Sequence, residues 1–166
     1  MSGNVAPAGV PSLGHPMVQE KRGQPMRRYL VVAHQTLGSP ELRDAMLTRL
    51  SEGPSTFHLL VPQRQAGGSM SWTEGDRRVV AEEALEHARL DFTARGFAVT
   101  GEVGDVNAAY AVTDVLIREG HDAFDEIIIS TLPLGISRWV HLDVPARVER
   151  ATDRPVTHVV AVHATA

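Results

Sequence analysis

GEVGDVNAAYAVTDVLIREGHDAFDEIIIS, residues 101–130, decides the fold. It begins in the last part of a β-rich run, Phe97 to Val103, and ends in another, Glu126 to Ser130. Between them Ala109, Val112, Val115 and Leu116 recur at helical spacing, with Asp105 in position to cap the helix and Gly120 to end it. A strand, a helix and a second strand in that order form a βαβ unit, which implies parallel pairing.

Working outward, the same alternation fills most of the chain. Three further strand candidates are Tyr29 to Ala33, Phe57 to Val61 and Val156 to Val162. Several of the five runs are apolar at consecutive positions, as expected of strands covered by helices on both faces. Ser39 and Pro40 open a helix with Leu42, Met46, Leu47 and Leu50 on its apolar stripe. Thr73 and Asp76 form a capping-box pattern ahead of Ala81, Ala84, Leu85, Ala88 and Phe92, and Gly96 stops that helix. A last helix is expected from Trp139 to Ala151, with Pro145 in its first turns or at a kink. The fold class is therefore α/β, a Rossmann-like open parallel sheet of five strands with helices on both faces.

Residues 1–26 are rich in proline and glycine without apolar periodicity, and read as a flexible tail that a protein partner would contact. Residues 27–166 form one α/β domain of ordinary size. No signal-peptide pattern opens the chain and no run reaches membrane-spanning length, so a membrane role is not expected. The sequence lacks cysteine, which removes thiolate nucleophiles and Cys-ligated zinc and favours the cytoplasm. Sixteen Lys and Arg against twenty Asp and Glu give a net charge of −4, which disfavours nucleic acid as a partner.

In an open parallel sheet, ligands bind beyond the carboxyl ends of the strands where the strand order reverses. That places candidate ligand residues at His34, Gln35 and Thr36 after the first strand, at Val61 closing the second, and at Ser130, Thr131, Gly135, Ser137 and Arg138 after the fourth. The long Pro62 to Trp72 segment reads as a lid or a plain surface loop. Arg138 beside Trp139 would hold an anion or stack on a base. The eight histidines show no zinc spacing, and His158 and His163, an odd number apart, would face opposite sides of one strand. No metal is expected. No G-x-S-x-G elbow marks a serine nucleophile, so no catalytic residue is assigned.

Three stretches resemble the universal stress protein family, over roughly Arg28 to Val162. They are YLVVAHQTLGSPELRDAM, the 101–130 stretch above, and GISRWVHLDVPARVERATDRPVTHVV. The resemblance implies the strand order 3-2-1-4-5 and homodimerisation. The ATP-binding branch of that family carries a Gly-x-x-Gly and a later Gly-Ser or Gly-Thr pair, whose amides approach phosphates. Here Pro133 stands about where a glycine would lie, Leu142-Asp143 replaces the closing pair, and His34-Gln35-Thr36 replaces the aspartate after the first strand. The reading that follows is a non-catalytic module of stress physiology, without a firmly held cofactor, acting through a partner or a weakly bound small ligand. The alternatives are an ATP- or AMP-binding protein and a small hydrolase or transferase. Val156, Val159, Val160 and Val162 on the last strand are the dimer-interface candidates, because an apolar sheet edge invites pairing with a second copy.

Overall fold

A computed structural model describes residues 23–64 and 73–163. Five strands, β1 Arg27–Val32, β2 Ser55–Pro62, β3 Ala98–Gly104, β4 Glu126–Thr131 and β5 Val156–Val160, pair in parallel in the order β3-β2-β1-β4-β5. The helices are α1 Pro40–Glu52, α2 Glu74–Ala94, α3 Ala108–Glu119, the four-residue α4 Arg138–His141, and α5 Val144–Ala151.

Strand alternation divides the interior in two. Tyr29, Val31, Phe57, Leu59 and Ile128 face Leu42 and Met46 of α1 and Ala81, Ala88 and Phe92 of α2. On the other face, Leu30, Val32, Leu60, Ile127 and Ile129 meet Ala111, Val112, Val115 and Leu116 of α3 and Val144 and Val148 of α5. Because β1 and β4 are covered on both sides, their central residues are all apolar and buried.

Local signals set the helix starts. Ser39 accepts from the Leu42 amide with Pro40 in the first turn, and Thr73 and Asp76 exchange both bonds of the capping box. Three expectations need correction. Asn107, not Asp105, caps α3; its side chain accepts from Ala109 and Tyr110, while Asp105 holds the Asn107 amide. The last helix is two, because Asp143 adopts a left-handed conformation at φ 55° and restarts the chain in a new direction, with Pro145 in the first turn of α5. Leu47 turns outward from α1 and is 44% exposed.

Glycine matters most where helices cross the β3 edge. A Cβ built on Gly101 would stand 2.5 Å from Leu85 Cδ1 and 2.9 Å from the Leu59 carbonyl oxygen. The leucine tip can move, but the backbone oxygen belongs to the neighbouring strand and cannot. Gly101→Val is therefore expected to lower stability by about 1–3 kcal/mol through overpacking, read as a shifted denaturant midpoint with an unchanged slope.

Candidate functional site

The carboxyl ends of β1, β2 and β4 are tied together by side chains that sequence reading had singled out. His34 follows β1, and its Nδ1 lies 2.7 Å from the Pro62 carbonyl at the end of β2. A carbonyl only accepts, so Nδ1 carries the proton. Burial and, less strongly, nearby Arg64 lower the imidazole pKa against the opposing pull of that carbonyl, which favours the neutral ring. Thr36 is buried and donates from its hydroxyl to the Ser130 carbonyl at 3.1 Å, bridging the loop after β1 to the end of β4. Gln35 between them is exposed.

Val61 is fully buried in the core on the α1–α2 face, so its side chain is packed against protein. Ser130 is 1% exposed, and its hydroxyl has no hydrogen-bond partner among the described residues. Thr131, one residue on, faces the other way and meets His158 Nε2 at 2.7 Å. Burial lowers the pKa of His158. His158 therefore belongs to this end of the sheet, a placement that needed the β4–β5 register to be seen.

After β4 the chain makes a tight turn. The amides of Ile136 and Ser137 both donate to the Pro133 carbonyl, at 3.1 and 3.0 Å, with Gly135 at φ 93° completing the reversal. Ser137 is buried and its hydroxyl accepts from the Val140 amide, starting α4. Leu134 and Ile136 point to solvent, 77% and 70% exposed. Arg138 begins α4, and its side chain lies outside the described part of the structure, so the expected anion or base contact does too. Trp139 packs partly into the α3–α5 core. Asp143 is exposed beside Arg150.

These positions decide how well the turn would suit a phosphate. The Ile136 and Ser137 amides are already bonded within the turn, Pro133 contributes none, and Asp143, which stands where the closing pair would lie, is an acid paired with Arg150. Most of the Pro62 to Trp72 segment, residues 65–72, falls outside the described residues, as do residues 1–22 of the tail. Among the described residues no group of three or more His, Asp or Glu is placed to hold a metal ion, and no helix is long and apolar enough to cross a membrane.

The last strand is an edge but is shorter than expected. It ends at Val160, because β4 stops at Thr131 and the Ala161 amide makes the last bond to it. The Val162 and His163 amides instead donate to Glu41 Oε1 on α1, and the His163 ring meets the same oxygen at 2.7 Å. His163 is thus off the strand and does not oppose His158 across it. Val156 and Val159 are half-buried against the two cores, whereas Val160 and Val162 are 40% and 67% exposed.

No protein-family model matches the sequence, and no curated protein does. Solved structures do match the fold. A universal stress protein from Archaeoglobus fulgidus superposes with a TM-score of 0.51 at 15% identity, covering 80% of this chain and 93% of the other. A universal stress protein family protein from Arabidopsis thaliana, crystallised with AMP bound, gives 0.54 at 12% identity over 82% and 93%. A universal stress protein in complex with cAMP gives 0.51 at 14% over 84% and 98%. The chain has the universal stress protein fold, with the strand order that the resemblance implied.

Proposed function

We propose that this chain is a non-catalytic module that acts through a protein partner and holds small ligands at its switch point weakly. The observation that carries this reading is the turn after β4, which bonds the Ile136 and Ser137 amides to Pro133 and presents Leu134 and Ile136 to solvent. Adjacent exposed apolar side chains suit a protein contact better than a polyphosphate. ATP or AMP at millimolar concentration is expected to move the melting temperature little. Ligand at a hundred times its dissociation constant would stabilise by about 2.7 kcal/mol, a shift of several degrees in a domain of this size. A saturable shift of that size in a thermal melt defeats the reading.

One observation favours the second reading, an adenine-nucleotide binder. Among the described residues the buried Ser130 hydroxyl has no partner at the end of β4, and two proteins of this fold were crystallised with AMP and with cAMP. A nucleotide-dependent shift that disappears in Ser130→Ala selects it.

The proposed module is a homodimer through β5. Pro155 and Ala161 bond to β4, so the residues between them alternate and Val156, His158 and Val160 turn their backbone groups to the open edge. Neither Lys nor Glu interrupts the strand. Val160→Lys is expected to convert dimer to monomer in analytical ultracentrifugation without unfolding the chain. A wild-type protein that sediments as a monomer at high micromolar concentration refutes the homodimer.

A further inference from the structure

Away from the switch point, β2 and β3 bring together a hydroxyl, an imidazole and a carboxylate. His58 lies directly across from Thr100 in the parallel register, and Glu102 is two residues further along the same face of β3. The imidazole lies between them, with Nδ1 2.8 Å from Thr100 Oγ1 and Nε2 2.9 Å from Glu102 Oε2. Arg118 of α3 donates from Nη2 to the same carboxylate oxygen.

The donor and acceptor roles follow from chemistry. Partial burial works against the charge on Glu102, but the hydrogen bonds from Arg118 and His58 outweigh it and hold the carboxyl below its ordinary pKa. An ionised carboxylate only accepts, so Nε2 donates to it. In the neutral ring Nδ1 is then an acceptor, and the Thr100 hydroxyl donates into it. The surrounding charges are Arg118 and Glu119 on α3 and Arg28 on β1, whose guanidinium covers the Phe124 ring beside His58. His58 and Glu102 keep only 16% and 28% exposure, whereas Thr100 is exposed on an edge strand. The base is sheltered and the hydroxyl is open to reagents, the arrangement of an activated nucleophile.

We propose that Thr100 is an acyl-acceptor site, its hydroxyl activated by His58 and the imidazole positioned by Glu102, which takes one acyl group from an activated ester or thioester. Thr100 Oγ1 attacks the carbonyl carbon while its proton passes to His58 Nδ1. The carbon–leaving-group bond then breaks, and the departing alcohol or thiol takes that proton. The products are a Thr100 ester and the free leaving group, with no redox change. The modification is separate from the switch-point reading, since the cluster sits in the middle of β2 and β3.

The composition favours a clean test, because the chain has no cysteine and Lys21 is its single lysine. The full chain is treated with p-nitrophenyl acetate and analysed by intact mass and peptide mapping, with the rate followed by nitrophenol release. One acetyl group on Thr100 is expected, lost in Thr100→Val and kept in Thr100→Ser. His58→Gln is expected to slow the reaction about a hundredfold, the usual contribution of a positioned base. Glu102→Gln should slow it less, with activity recovered in Glu102→Asp. Acetylation confined to the N-terminus, Lys21 or other hydroxyls overturns the proposal, as does an unchanged rate in folded His58→Gln. If that variant does not fold, the Val and Ser variants at Thr100 decide the outcome.

Discussion

Glu126→Ala is expected to destabilise the domain by about 3 kcal/mol, measured by denaturant unfolding at neutral pH. Glu126 opens β4 and receives two bonds from Arg49 of α1, Nη2 to Oε1 at 2.6 Å and Nε to Oε2 at 3.2 Å. Thr157 of β5 donates to the carboxylate and accepts from Arg49, so one cluster fastens α1, β4 and β5. Both charged side chains are largely buried, at 19% and 17% exposure. Removing the carboxylate leaves a sheltered guanidinium without its counter-charge, and that uncompensated charge is the main cost. The double variant Arg49→Met with Glu126→Leu is accordingly expected to lose much less than Glu126→Ala. Equal losses would assign the effect to packing.

The same pair gives a pH dependence of definite sign. Burial pushes the Glu126 pKa up, but hydrogen bonds from Arg49 and Thr157 push it down further, and the net shift is downward. A carboxyl whose folded pKa lies below its unfolded value, about 4.3, stabilises fully above the unfolded value. That contribution is lost as pH falls through the folded pKa. The stability gap between wild type and Glu126→Gln should therefore narrow on acidification below about pH 4. A gap that widens there contradicts the assignment.

The fold was legible because its signals are local and repeated. Ser39-Pro40 and the Thr73–Asp76 box mark helix starts through bonds to residues three positions away, and the apolar runs of β1 and β4 carry their burial in composition alone. The site was legible only in outline. The switch-point rule located His34, Thr36 and Ser130, yet His34 is matched by Pro62 and Thr131 by His158, pairings that depend on register between strands distant in sequence. The break at Asp143 escaped for a different reason. Aspartate is only modestly enriched at positive φ, too weak a mark to break a helix on sequence, and the apolar spacing continues across it from Trp139 to Val148.

Phe57→Ala is expected to cost about 3–5 kcal/mol, among the largest losses available to a single substitution here. The chain has only four phenylalanines, and three of them gather on the α2 side of β2. Phe57 stacks on Tyr29 with centroids 5.2 Å apart and meets Phe97 edge-on at 5.6 Å, while Phe97 meets Phe92 of α2 edge-on at 5.5 Å. Phe57 is 1% exposed, so truncation loses transfer energy and leaves a cavity bounded by strands that cannot collapse onto it. It also removes the ring that links β1 to the start of β3. A domain with a total stability of about 5–15 kcal/mol then has little in reserve, and its melting temperature should fall by roughly 10 °C. Phe57→Leu keeps much of the volume and should recover more than half of the loss. Equal damage from the two variants would show that aromatic geometry, and not filled space, is what β2 supplies to this core.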